Sequence, residues 1–392
     1  MTTTDGPVSI DLFTDESLAD PFPVYARLRA TGPVVWLDTA QCWAVSRYDD
    51  VRSVLADWEN FTSDQGVGLN DDVNAALQGT LLASSPPLHG TLRGVLAEQL
   101  SPRGLRNLGM DLKQRAREIV EPLVARGQFD AVQDLARVFP PTVVADLVGI
   151  PDEVRPRLIP WADAIFNMMG PGDKPRTFSG AELVREQYAW LATVDGSVLN
   201  DGSWGRAIYD AADQGKIAPE QAPRLLSAYT SAAMDTTINA LGSAVWLFAE
   251  NPGQWTRLRE DRSLIPSAFN EVLRLETPLQ FFTRAAVRDV ELAGMPIAAG
   301  DRVMVMYGSG NRDDRHFGPD ADAFRIDRDA ADHLAFGYGM HGCIGQGLAR
   351  LEAHAVFEVL AENVESFHLL EPPVRHMNNA IRGLESVRVS VK

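Results

Sequence analysis

Apolar positions recur with helical spacing over most of this chain and alternate only near its two ends. Asp20 to Thr31 predicts a helix opened by Asp-Pro, and Asp49 to Asp57 predicts another. Between them Val34-Val35-Trp36-Leu37 and Trp43-Ala44-Val45-Ser46 predict the strands of a hairpin. From Asn60 to Pro87 regular periodicity fades, ending in Ser-Ser-Pro-Pro. Helical spacing then dominates to about Glu276. Short strands are expected at Ala285 to Leu292, at Arg302 to Met306, and as a pair around Val387 to Val391. A mainly helical body with a small β-rich lobe is the expected architecture.

Leu225 to Ala249 is apolar on most sides, with Asp235 as its single charged residue. It also carries Ser227, Thr230, Ser231, Thr236, Thr237, Asn239 and Ser243. A charge near the middle of a membrane span is expensive, so a long helix buried within a large protein is expected.

Composition narrows the class. The chain has 392 residues, 45% of them hydrophobic, which suits a globular protein with a large core. No low-complexity tract or internal repeat divides it. A formal net charge of −17 argues against a nucleic-acid partner. Two distant cysteines, Cys42 and Cys343, argue against a disulfide framework and fit a reducing cytoplasm. Cys42, in an apolar run, reads as a small core residue. Met1 to Pro7 has neither a basic nor an apolar region, so no leader or membrane anchor is expected there.

The most informative segment is Phe336-Gly-Tyr-Gly-Met-His-Gly-Cys-Ile-Gly345. It puts Cys343 at the tip of a glycine-rich turn. Ile344, Leu348, Leu351 and Ala355 then form the apolar stripe of a helix. A helix start favours a thiolate, and Gly345 lets that start pass close to something flat. A lone thiolate against a flat ligand suits a thiolate-ligated haem iron. The alternatives are a buried structural cysteine, or a zinc site with only His341 as a neighbouring ligand.

This segment resembles, at every fixed position, the haem-binding loop of cytochromes P450, and nearly the whole chain is similar to soluble bacterial members. The resemblance implies one domain over residues 1–392, both lobes enclosing one haem b (iron protoporphyrin IX). It implies Cys343 as axial ligand, with Phe336 beside its sulfur. Glu271 and Arg274, three apart on a helix, followed by Phe324 and Arg328, resemble the Glu-x-x-Arg helix and its partner segment. They imply a buried network that props the cysteine loop. Pro86-Pro87-Leu88-His89 with Arg93, Arg284 and His341 resemble the donors to the haem propionates. Ala232-Ala233-Met234-Asp235-Thr236 resembles the oxygen-activation motif, with Ala233 where glycine is usual. Asp235 and Thr236 are thereby implied to relay protons.

The implied activity is a monooxygenase. The chain has no nucleotide-binding glycine fingerprint and no cysteine cluster. A separate ferredoxin or flavodoxin is therefore expected to bring electrons, docking near Arg103, Arg106, Lys113, Arg115 and Arg117. A haem protein that binds ligand without turnover, a peroxygenase or an isomerase is the competing class, and the Asp235-Thr236 pair argues against a peroxygenase.

Gly66-Val67-Gly68-Leu69 and Asn378 to Ser386 resemble P450s that act on para-substituted benzoates and lignin-type aromatics. Those enzymes hold the carboxylate with an Arg in the loop before the glycines, where Gln65 stands here. No Lys or Arg occurs from Phe61 to Leu88. A small neutral aromatic, such as an alkyl- or methoxyphenol, is expected. Its expected contacts are Gln65, Val67, Leu69, Phe166, Met169, Phe282 and Ile381. A steroid, terpene or macrolide intermediate is the second expectation.

Overall fold

The long apolar run forms a single 30-residue helix, Gln221–Glu250, in a computed structural model that describes residues 10–392. The expectation for Met1 to Pro7 lies outside the described residues. Around this helix pack Phe139–Val148, Leu158–Asn167, Trp204–Asp213 and Ile265–Glu276, together with a π-helical turn at Ala131–Ala136. Nineteen of its residues are buried, which is why the run has no polar face. Phe248 anchors one end through edge or tilted ring contacts with Trp255, Phe324 and Phe357. Gln346–Asn363, the helix after the cysteine loop, lies on Leu108–Ala125. Among the described residues no helix is long and apolar enough to cross a membrane.

The β-rich lobe centres on a five-stranded sheet ordered Val34–Leu37, Cys42–Val45, Arg302–Met306, Phe281–Ala286, Phe61–Thr62. All neighbours are antiparallel except Cys42–Val45 with Arg302–Met306. Cys42 is buried in this sheet, and burial pushes its thiol up to about 12.

Three expectations need correction. The segment read as irregular contains a helix, Asp71–Leu77, whose N-cap Asn70 accepts a hydrogen bond from the Val73 N–H. Seven residues are too few for periodicity to show, so the cap was its only signal. The strand expected at Ala285 to Leu292 lies earlier, at Phe281–Ala286, and Val290–Leu292 belongs to a separate hairpin with Met295–Ile297. Arg288 and Asp289 fall in the bend between them. The terminal strand, Arg388–Val391, is the middle of three, between Gln128–Asp130 and Phe367–Leu369.

A further hairpin, Val374–Met377 with Arg382–Ser386, runs against the long helix. Contact is close because Gly383 has no side chain. A Cβ there would fall 1.6 Å from Asn239 Oδ1 and 2.3 Å from Asn239 Cγ. Gly383→Ala should therefore cost about 1–3 kcal/mol through overpacking. Thermal denaturation checks this, and an unchanged melting temperature would contradict the contact.

Candidate active site

The cysteine loop is closed on itself. The Cys343 N–H donates to the Phe336 carbonyl at 2.8 Å, and the Gly342 N–H donates to the Gly339 carbonyl at 3.0 Å. Gly339 has φ +69°, and a Cβ there would sit 2.7 Å from the Leu55 carbonyl oxygen, so only glycine fits. Phe336 packs against the core with the Arg350 guanidinium 4.8 Å above its ring.

The helix begins at Gln346, capped by Gly345, so Cys343 sits three residues ahead of it rather than in its first turn. Burial raises the Cys343 thiol, against the opposing pull of the Gly345 N–H, the Arg93 charge, the Gln346 N–H and Arg350. The N–H groups of the helix start thus favour the thiolate, as expected, but desolvation outweighs them. A bound metal ion supplies the charge that deprotonates such a thiol.

The loop hangs from a buried ionic network. Glu271 Oε2 accepts from Arg274 Nε at 2.7 Å. Glu271 Oε1 accepts from Arg274 Nη2 at 2.9 Å, from Arg328 Nε at 3.1 Å and from the Arg325 N–H at 3.1 Å. Arg274 Nη1 donates to the Asn311 and Ala321 carbonyls, both at 2.7 Å. Asn311 links this network to the loop. Its Nδ2 donates to Thr277 Oγ1 at 2.8 Å, and its Oδ1 accepts from the Leu334 N–H at 2.6 Å, two residues before Phe336. Sequence reasoning missed Asn311; its setting in the run Gly308-Ser309-Gly310-Asn311 was the available signal. A second buried cluster was also missed: Glu276 carries Arg312, Arg375 and Arg382.

Four cationic or titratable groups converge from three segments. His89 and His341 meet edge-on, ring centroids 4.5 Å apart, and each has a buried Nε2 without a partner. Burial pulls His341 down to about 3, helped by the charges of Arg284, His89 and Arg93. Burial and Arg93 lower His89, opposed by Asp64. Arg284 is buried and donates to the Thr283 carbonyl at 2.8 Å. Donors gathered with so little anionic charge against them fit the carboxylates of a haem. The loop fits it too: a Cβ on Gly345 would lie 3.8 Å from Cys343 Sγ, in the space beside the sulfur.

On the long helix Ala232 is exposed and Ala233 and Thr236 half-exposed, while Met234, Asp235 and Thr237 are buried. Thr236 Oγ1 bonds back to the Ala232 carbonyl only weakly, at 3.5 Å. Asp235 Oδ1 accepts from Asn239 Nδ2 at 3.2 Å, and its buried Oδ2 has no partner. Burial, then the nearby Asp163, raises Asp235 to about 7.

Of the expected substrate contacts, Val67, Phe166, Met169 and Ile381 lie in one apolar cluster, with Leu69 and Phe282 half-buried against it. Gln65 is exposed and stands outside this cluster. The structure also brings a cation to the loop that sequence reasoning found empty of one. Arg302 donates to the carbonyls of Gln65 at 3.2 Å and Gly66 at 3.4 Å, and to Thr283 Oγ1 at 3.2 Å. Since strand side chains alternate, Thr283 and Arg302 share the face opposite Phe282 and Arg284.

Most of the expected basic patch is neutralised. Lys113 pairs with Glu358 and Glu362, Arg115 with Asp111 and Asp146, and Arg117 with Glu362. Among the described residues Arg103 and Arg106 form no ion pair, and their helix, Pro102–Leu105, packs against the start of the post-cysteine helix.

A helical body, a small β lobe and a lone cysteine loop propped by a buried Glu-Arg pair define a haem-binding oxidoreductase scaffold. The cytochrome P450 profile matches residues 210–387. The cytochrome P450 CYP199A2 of Rhodopseudomonas palustris is 39% identical over 98% of this chain and 94% of its own length. The cytochrome P450 monooxygenase PikC of Streptomyces venezuelae is 33% identical over 99% and 95%. A solved structure of the cytochrome P450 CreJ with (4-ethylphenyl) dihydrogen phosphate superposes with a TM-score of 0.85 at 28% identity, covering 96% of this chain and 98% of that one. The chain belongs to the cytochrome P450 family and is a P450 monooxygenase with that family's fold; haem is the cofactor the family implies.

Removing one member of the buried network leaves a charge unpaired. Glu271→Ala should cost about 3–5 kcal/mol. It should also lower the haem content of the purified protein, because Asn311 and Leu334 lose their anchor. Denaturant titration and pigment absorbance check both, and a variant with normal stability would contradict the network's role.

Proposed function

We propose that this P450 monooxygenase inserts one oxygen atom of O2 into a small neutral aromatic substrate, by hydroxylation or O-demethylation of a substituted phenol or related arene. The observation that carries this reading is the apolar cluster formed by Val67, Phe166, Met169 and Ile381, with Leu69 and Phe282 packed against it. Arg302, the cation that reaches the loop, spends donors on the Gln65 and Gly66 carbonyls and on Thr283 Oγ1. A carboxylate in such a cluster would be buried without a partner, at several kcal/mol. The 4-ethylphenyl group in the CreJ complex supports a para-substituted ring as the shape this fold accepts.

In this reading Cys343 would hold haem b through its sulfur, and His89, Arg93, Arg284 and His341 would hold its propionates. When bound, the haem would supply the oxygen chemistry. The protein positions the ring, excludes water and moves protons. Small side chains at Ala232 and Ala233 leave room beside Thr236, whose loosely held hydroxyl is free to turn outward. Asp235, raised to about 7, is protonated below that pH and gives its proton to the Thr236 side. Electrons come from a separate ferredoxin or flavodoxin. Arg103 and Arg106 are the cations left for its docking.

Spectral titration tests the substrate class. Neutral 4-ethylphenol and 4-methoxyphenol should shift the iron toward high spin at lower concentration than 4-methoxybenzoate or 4-ethylphenyl phosphate. Tighter binding of either anion would overturn this reading, and preference for a terpene or macrolide would favour the second expectation.

The proton role has its own check. With saturating substrate the oxidation rate should fall as pH rises through about 7, where Asp235 loses its proton. Asp235→Asn should be slow throughout and lack this step, and Thr236→Ala should divert electrons to hydrogen peroxide. A pH step that survives in Asp235→Asn would assign it to another group.

A further inference from the structure

We propose that His376 is the relay through which protons from the surface reach Asp235, with the carboxylates of Glu385 and Asp163 facing its two ring nitrogens. This rests on the reading of Asp235 as a proton donor and adds the path that resupplies it.

His376 is on the strand Val374–Met377, outside every motif of the chain. Its Nε2 is 2.6 Å from Asp163 Oδ1, on the helix Leu158–Asn167, and its Nδ1 is 3.2 Å from Glu385 Oε2, on the strand Arg382–Ser386. A neutral imidazole has one N–H and one lone pair. Both nitrogens facing carboxylate oxygens therefore require an extra proton, on the ring or on one carboxyl group. The three groups share that proton as a unit.

Each end is fixed. Asn378 Nδ2 donates to Asp163 Oδ1 at 2.8 Å and to the Asp163 carbonyl at 3.0 Å. Gln133 Nε2 reaches Glu385 Oε1 at 3.2 Å, and Arg137 Nη1 reaches Glu385 Oε2 at 3.5 Å. Both carboxylates beside the ring reach solvent: the Glu385 side chain is 47% exposed, that of Asp163 32% and that of His376 22%, while Asp235 is 5% exposed as a whole residue. Asp235 lies one step further in: Gly383, which pairs with His376 across the hairpin, abuts Asn239, whose Nδ2 donates to Asp235 Oδ1 at 3.2 Å, and Asp235 Oδ2 has no partner.

The charged groups facing His376 are Asp163, Asp235, Glu385 and Arg137. Burial alone would lower the His376 ring, but the Asp163 hydrogen bond and charge, then Asp235 and Glu385, outweigh it and raise it. Asp235 in turn feels Asp163 upward and His376 and Arg137 downward. The transfer balances simply. Imidazolium His376 gives one proton to carboxylate Asp235, leaving a neutral ring and a neutral acid. The ring, left with its proton on Nδ1, turns over to bring its bare nitrogen to Glu385, which protonates it and takes one proton from solvent. No hydrogen bond joins His376 to Asp235 at rest, so the step needs a turn of the Asp235 side chain or one bridging water.

Infrared titration of the resting haem-loaded protein reads the link without turnover. The carboxylic acid band lost in Asp235→Asn identifies the group. In His376→Gln its midpoint should rise, because a lowering charge has gone. In turnover, His376→Gln and Glu385→Gln should both slow oxidation and steepen its dependence on solvent deuterium, with unchanged substrate binding. His376→Gln/Asp235→Asn should be no slower than Asp235→Asn alone. A ring that merely staples strand to helix would leave the Asp235 band and the isotope dependence unmoved, and that result overturns the relay while Asp235 keeps its role. If instead Asp235→Asn turns over normally, the donor reading itself falls. If His376→Gln fails to fold, exposed Glu385→Gln decides: a normal rate and isotope dependence there overturn the relay.

Discussion

The active site depends on a carboxylate and a guanidinium sealed from water. Glu271 and Arg274 are both fully buried. Desolvation makes such a pair expensive, and it holds only where every lone pair and N–H is used. Here both glutamate oxygens and the three arginine nitrogens are used, and the acceptors of Arg274 Nη1 are backbone carbonyls at Asn311 and Ala321. The pair thus converts charge into backbone geometry. Through Asn311 it fixes Leu334, and from Leu334 the loop turns over to bring Cys343 back to the Phe336 carbonyl. Burial there raises the Cys343 thiol.

The same economy of charge shapes the rest of the interior. At His89, Arg93, Arg284 and His341 donors gather with only Asp64 opposing them. Cations are matched at Glu276, where Arg312 and Arg375 close the helix end against the C-terminal hairpin and Arg382 adds a third bond. Beside the long helix the balance is acidic, with His376 held between Asp163 and Glu385.

Sequence made legible whatever is local. The long helix, the post-cysteine helix and the strands at Val34–Leu37 and Arg302–Met306 follow from spacing alone, and the motif around Cys343 carried the family. What stayed hidden is paired across long stretches of chain. Asn311 to Leu334, Arg302 to Gly66 and His376 to Asp163 join segments 23, 236 and 213 residues apart. No periodicity encodes these contacts, because each depends on how sheet and helices stack. The basic patch failed for the same reason: Lys113 and Arg117 look free in sequence, but the post-cysteine helix presents Glu358 and Glu362 to them. Gln65 failed differently, since its loop points the residue outward while its carbonyl goes to Arg302.

The central claim is that the loop holds Cys343 as a thiolate ligand to haem. The absorption spectrum of the reduced, carbon-monoxide-bound protein tests it most directly, because the position of the Soret band reports the ligand opposite carbon monoxide. The native protein should show the red-shifted band of thiolate ligation, and Cys343→His, with haem still bound, should lose it. A red-shifted band that persists in Cys343→His would contradict the account.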